Sequence, residues 1–200
     1  MKIKICGLTR PEDVALACEL GADICGFILA SSPRRVDWDQ LGRLVSALPT
    51  SVLSVAVMVD PQPTQVDRAL SLVDRVQLHG SESPEFCARY GRRVWKALRI
   101  RQSGDLEAVD SYAGRVGAFL LDSYQDGVAG GTGRTFPWSY LQGRDFPAPT
   151  FLAGGLTSAN VADARQLPSL HGLDVASGVE AEPGRKDPDK LRQFFAAARL

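Results

Sequence analysis

Val52-Leu53-Ser54-Val55-Ala56-Val57-Met58-Val59, then residues 61–73, then Arg75-Val76-Gln77-Leu78 is the stretch whose reading decides the fold. The first run is apolar and β-branched, as a strand requires. The second reads as a helix and the third as another strand. A strand, a helix and a strand in that order imply parallel strands joined by a helical crossover.

The same unit recurs on both sides. Further strands are expected over residues 2–6, 24–29, 94–98, 117–121, 150–153 and 173–176. Helices are expected over 10–19, 37–48, 83–90, 105–112, 158–166 and 187–199, with a short helical segment over 138–141. Pro11 suits a first helical turn, with Glu12 and Asp13 at its positive end. Asp37 and Ser158 are placed to cap the helices that follow them. Eight alternations imply a single (β/α)8 barrel, and an open doubly wound sheet is the structural alternative. At 200 residues the barrel must be compact with short loops. No linker or composition shift divides the chain, so residues 1–200 are expected to form one domain.

Lysine plus arginine equals aspartate plus glutamate at 23 each, so no net field favours nucleic acid or an anionic membrane. No stretch is long and apolar enough to span a bilayer, and the N-terminus lacks a signal-peptide core. Cys6, Cys18, Cys25 and Cys87 form no C-x-x-C pair, and His79 and His171 are the only histidines, so a metal site is not expected. Free thiols in a reducing cytoplasm are the simpler reading.

Active sites of such barrels lie where the strands end. That rule selects Cys6 after the first strand, His79 after the fourth, Asp122 after the sixth and Ser177 after the eighth, with Arg34 and Arg35 on the loop after the second. Gly154-Gly155 and Ser177-Gly178 follow strands seven and eight, where barrels often bind phosphate through backbone N–H groups. Each pair alone reads as a tight turn; both at the expected positions point to phosphate. Cys6 is either an inert buried thiol or a reactive one. Asp122 caps a loop, or serves as a general acid if desolvation lets it hold a proton. Arg34 and Arg35 are solvated, or one of them forks onto a carboxylate. His79 orients a loop or lines the pocket.

The motifs resemble a known family. They run from Lys4-Ile5-Cys6-Gly7-Leu8-Thr9 through Gly21-Ala22-Asp23, Gly26-Phe27-Ile28, Ser32-Pro33-Arg34-Arg35-Val36 and Val76-Gln77-Leu78-His79-Gly80. They continue with Leu120-Leu121-Asp122-Ser123, Gly130-Gly131-Thr132-Gly133, Ala153-Gly154-Gly155-Leu156, Asn160-Val161 and Asp174-Val175-Ala176-Ser177-Gly178-Val179-Glu180. In this order, over nearly the whole chain, they resemble the phosphoribosylanthranilate isomerases of tryptophan biosynthesis. Met58 and Asp60 stand where that family more often has Phe and Asn, and Pro137 stands where Asp is common.

The resemblance implies a cytoplasmic enzyme that converts N-(5-phosphoribosyl)anthranilate into 1-(2-carboxyphenylamino)-1-deoxyribulose 5-phosphate, as a monomer or homodimer. It implies no metal or redox cofactor. It makes Cys6 the general base and Asp122 the general acid, with Arg35 on the anthranilate carboxylate. Gly154, Gly155, Ser177 and Gly178 would hold the phosphate, and Asp174 would orient the substrate amine. The related isomerase of histidine biosynthesis typically uses two aspartates, one of them ending the first strand. Cys6 at that place argues against it.

Overall fold

In the computed structural model, which describes residues 1–123 and 135–199, eight parallel strands close into one barrel in sequence order. They are β1 (Lys2–Ile5), β2 (Ile24–Ile28), β3 (Leu53–Met58), β4 (Arg75–Leu78), β5 (Val94–Ile100), β6 (Ala118–Ser123), β7 (Thr150–Ala153) and β8 (Gly172–Val175). Pairing of Lys2 with Gly172 through Ile5 with Val175 joins β1 to β8 and removes both sheet edges. Closure therefore decides between the barrel and the open sheet.

Seven α-helices are described: α1 (Pro11–Glu19), α2 (Trp38–Ser46), α3 (Pro63–Leu70), α4 (Pro84–Ala88), α5 (Ala108–Ser111), α6 (Val161–Arg165) and α7 (Pro188–Arg199). Local chemistry sets several starts. Asp37 accepts from the Gln40 backbone N–H at 2.7 Å and Ser83 from that of Phe86 at 3.2 Å. Pro11, Pro63 and Pro84 open their helices, where a missing N–H costs nothing.

Two expectations are corrected, and one element is added. Residues 105–112 do not form one helix: a 3-10 turn, Ser103–Glu107, precedes the short α5. Ser158 does not cap α6, which starts at Val161 after a turn in which the Thr157 N–H donates to the Asn160 side chain at 2.8 Å. A two-stranded hairpin that was not anticipated, β9 (Glu180–Glu182) with β10 (Arg185–Lys186), projects between β8 and α7. Residues 138–141 form a 3-10 turn. Gly130-Gly131-Thr132-Gly133 lies outside the described residues.

Two apolar layers follow from strand alternation. Outward residues such as Ile5, Phe27, Leu78, Phe119 and Leu121 are buried beneath the helices. Inward residues Ile24, Val55, Trp95, Ala97, Leu120 and Phe151 fill the barrel, with Trp95 stacked on Phe151 at 5.1 Å between centroids. This apolar plug occupies the lower barrel, so the chemistry must lie above it, toward the C-terminal ends of the strands. Among the described residues, no helix is long and apolar enough to cross a membrane.

Candidate active site

The alternation of β1 points Lys4 and Cys6 into the barrel, and the register sets Lys4 beside Asp174 of β8 and Ile24 of β2. Lys4 is fully buried, and its Nζ donates to Asp174 Oδ1 at 2.9 Å. The same ammonium lies near the buried Cys6 side chain, both flanking Gly26, and acts on the thiol electrostatically. A β-carbon on Gly26 would sit 2.9 Å from Cys6 Sγ and 3.0 Å from Lys4 Nζ, so glycine on β2 leaves room for both. Burial pushes the Cys6 thiol above its usual range, with the Lys4 ammonium opposing that rise. Burial likewise pushes the Asp174 carboxyl up against the pull of Lys4. For Lys4, burial alone would lower the value, but Asp174 and Cys6 more than reverse this and raise it, so the ammonium is held.

Asp122 lies within β6 rather than after it, paired in register with Arg99 and Ala153. The strand runs further than its apolar residues because Ser123 still pairs with Ile100. The same alternation turns the Asp122 side chain inward, three strands round the barrel from β1. Its Oδ2 lies 3.1 Å from His79 Nε2. His79 follows β4, where its N–H donates to the Met58 carbonyl at 2.8 Å and its Nδ1 lies 3.3 Å from Gln77 Nε2. The structure thus places the His79 ring beside the Asp122 carboxyl.

The loop after β7 lies beside that carboxyl and meets the loop after β8. Gly154 and Gly155 have φ values of 80° and 68°, conformations that favour glycine. A β-carbon on Gly154 would stand 2.5 Å from Asp122 Oδ1. The Asn160 side chain donates to the Gly155 carbonyl at 2.9 Å and shapes this loop. Ser177 opens a 3-10 turn, Ser177–Val179, and a β-carbon on Gly178 would collide with the Leu156 carbonyl, so the loops after β7 and β8 pack on each other.

The two arginines separate. Arg34 is not solvated: its guanidinium forks onto Glu180, with Nε at 2.9 and 3.0 Å from the two oxygens and Nη2 at 2.7 Å from Oε2. Arg35 is exposed and lines a cleft of about 790 Å³ with Thr9, Gly184 and Lys186, a cleft that Cys6, His79, Asp122 and Asp174 do not line, so the structure does not bring Arg35 together with them. Arg34 is therefore committed to a structural partner, which leaves Arg35 as the arginine facing a cleft.

Sequence reasoning missed two groups. One is Lys4, whose alternating strand reads as solvent-facing in sequence and which only barrel closure places beside Cys6. The other is a clasp built on Glu180 and Lys186. Lys186 Nζ donates to the Cys6 carbonyl at 2.7 Å, the Ala176 carbonyl at 2.9 Å and Glu180 Oε1 at 3.0 Å. With Arg34 it ties the loop after β2, the end of β1, the end of β8 and the hairpin together. Burial alone would raise the Glu180 carboxyl, but Arg34 and Lys186 hold it below its usual range.

A closed (β/α)8 barrel with a thiol, two carboxyls and a histidine turned into its C-terminal mouth has the architecture of a barrel enzyme of acid–base chemistry. The comparisons narrow that class. Residues 3–197 match the sequence profile of N-(5'-phosphoribosyl)anthranilate (PRA) isomerase. The chain is 43% identical to the N-(5'-phosphoribosyl)anthranilate isomerase of Pelobacter propionicus over all of its own length and 96% of that protein. The crystal structure of phosphoribosyl anthranilate isomerase from Thermotoga maritima superposes with a TM-score of 0.91 at 34% identity, covering 100% of this chain and 98% of that one. A phosphoribosyl anthranilate isomerase in complex with reduced 1-(o-carboxyphenylamino)-1-deoxyribulose 5-phosphate superposes with a TM-score of 0.84 at 32% identity, covering 100% and 98%. The chain belongs to the N-(5'-phosphoribosyl)anthranilate isomerase family.

Proposed function

We propose that residues 1–200 act as one catalytic domain that isomerises N-(5-phosphoribosyl)anthranilate to 1-(2-carboxyphenylamino)-1-deoxyribulose 5-phosphate. The observation that carries this reading is the convergence of Cys6, Asp122 and the glycine loops after β7 and β8 on one barrel mouth, in a chain of this family.

Asp122 donates a proton to the furanose ring oxygen. The C1–O bond breaks toward that oxygen while the anthranilate nitrogen lone pair forms a C1=N iminium. The iminium acidifies the C2 proton, which the Cys6 thiolate removes, and the freed electron pair forms C1=C2 and neutralises the nitrogen. Tautomerisation then moves a proton from O2 to C1 and gives the ketone, so substrate and product carry equal numbers of protons. Each positioned proton transfer contributes about 10²–10⁴-fold. His79 orients the Asp122 carboxyl through the 3.1 Å contact. Asp174 orients the substrate amine, and Arg35 binds the anthranilate carboxylate.

Gly154, Gly155, Ser177 and Gly178 present backbone N–H groups to the phosphate. That remote anchor positions the reacting carbons. All four cysteines are unpaired, which fits work in a reducing cytoplasm. The test is conversion of phosphoribosylanthranilate by the purified chain, beside the phosphoribosyl substrate of the histidine-pathway isomerase. Turnover of the anthranilate compound, abolished in Cys6→Ala and in Asp122→Asn while the barrel stays folded, is expected. Near-normal turnover in either variant would remove the assigned role.

A further inference from the structure

We propose that Lys4 is a positioning residue for proton abstraction, its buried ammonium being the fixed counter-charge that the Cys6 thiolate and the Asp174 carboxylate share. The proposal rests on the reading of Cys6 as the base. It adds a group that neither the reaction nor the family resemblance assigns.

Three observations carry it. First, the ammonium is fully buried and inside the barrel, where a lysine is not needed to fill space that Leu120 or Val55 fill elsewhere. An unpaired buried charge is costly, so its partners matter. Second, the ammonium donates to Asp174 Oδ1 at 2.9 Å, and Cys6, two residues on along the same inward face of β1, brings its Sγ to the same spot beside Gly26 that Lys4 Nζ occupies. Third, β2 carries Gly26 where any side chain would displace Cys6 Sγ or Lys4 Nζ, so the geometry of the pair is protected by the neighbouring strand.

The remaining charges around Cys6 do not replace Lys4. Lys186 of β10 reaches the Cys6 backbone carbonyl, at 2.7 Å, and is itself neutralised by Glu180, which also binds Arg34. Cys25 of β2 is a buried thiol. Asp174 of β8 adds negative charge and so opposes a thiolate, while Asp122 and His79 also act electrostatically on Asp174. One cation thus faces two potential anions. When Lys4 and Asp174 pair, less of the ammonium field is left for sulfur, and a change at Asp174 alters how readily Cys6 ionises. Because burial raises the Cys6 thiol, the thiolate population grows as pH rises, and turnover should follow it.

The experiment follows alkylation of Cys6 by iodoacetamide against pH, with peptide mass spectrometry to separate it from Cys18, Cys25 and Cys87, on the full chain. An opposite charge at this range shifts an ionisation by about 1–3 pH units. Lys4→Met is expected to move the Cys6 midpoint up by that amount, with Lys4→Arg restoring much of it. The kcat of Lys4→Met should fall about 10- to 1000-fold at neutral pH, recover as pH is raised, and leave KM within about threefold.

If Lys4→Met fails to fold because Asp174 is left unpaired, the comparison moves to Asp174→Asn. That variant should lower the Cys6 midpoint, and Lys4→Met in its background should raise it. Opposite shifts are expected, which a merely structural role would not produce. An unchanged Cys6 midpoint in both folded backgrounds overturns the proposal. Because alkylation does not depend on turnover, that failure is distinct from failure of the base assignment, which Cys6→Ala activity reports.

Discussion

Two buried lysines sit on opposite faces of the same barrel wall. Lys4 points inward and pairs with Asp174 at 2.9 Å; Lys96 points outward and pairs with Glu82 at 2.7 Å. All four side chains are at most 8% exposed. The difference lies in what satisfies the rest of each pair. Lys96 also donates to the Gly80 carbonyl at 2.7 Å, and Glu82 accepts from the backbone N–H groups of Asp60 and Gly80. Backbone supplies the other hydrogen bonds of that pair, with the Tyr112 ring 5.9 Å from the ammonium and Cys87 nearby, and it pins the loops after β3 and β4, including the one that carries His79. Among the described residues Lys4 has no backbone acceptor of its own, and its neighbours are the candidate chemical groups: Cys6, Asp174 and, beyond them, Asp122 and His79. A buried ion pair closed by backbone serves the fold, and one left open to titratable side chains is available to chemistry.

That contrast can be broken from either side. The largest effect is expected at the mouth: Asp122→Asn should lower kcat by about 10²–10⁴-fold. The thermal midpoint should stay within a few degrees, measured by calorimetry beside steady-state kinetics. On the outer face the order reverses. Lys96→Met leaves Glu82 buried without its cation and should cost about 3–5 kcal/mol in denaturant unfolding. Its kcat at a temperature where the protein is folded should stay within about threefold. A smaller effect is expected at Arg35→Ala, which should raise KM by about 10- to 100-fold with little change in kcat, since a charge-assisted hydrogen bond contributes about 1.5–3 kcal/mol. Arg34→Ala sharpens the point: its partner is Glu180, so its main cost should appear in stability. The smallest belongs to the exposed pair of Lys2 with Asp23 at 2.7 Å, where Lys2→Met should move the thermal midpoint by less than about 2 °C.

The same contrast explains how far the sequence could be read. The alternation of apolar runs located all eight barrel strands, because burial on both faces leaves a continuous signal. It missed the ends where a strand continues in polar residues, as β6 does through Asp122 and Ser123. The hairpin of Glu180–Glu182 with Arg185–Lys186 escaped because it is short and carries charged pairs, Glu182 with Arg185 and Glu180 with Lys186, with no apolar alternation. Cys6, Asp122, His79 and the glycine loops were legible from position alone, since strand ends in a barrel converge. Lys4 was not, because a lysine in an alternating terminal strand reads as solvent-facing until barrel closure turns its face inward. Glu180 and Lys186 were hidden for another reason. Their partners, Arg34 and the Cys6 carbonyl, lie 146 and 180 residues away in sequence, and only the fold brings them together.

The central claim is that Cys6 and Asp122 act on one substrate anchored by the loops after β7 and β8. A crystal structure of this chain with the reduced product analogue tests it most directly. The account predicts the phosphate on the backbone N–H groups of Gly155 and Ser177, the carboxylate within reach of Arg35, and Cys6 Sγ and an Asp122 oxygen on opposite sides of the reacting carbons. A phosphate bound away from those two loops, or reacting carbons beyond the reach of Cys6, would contradict it.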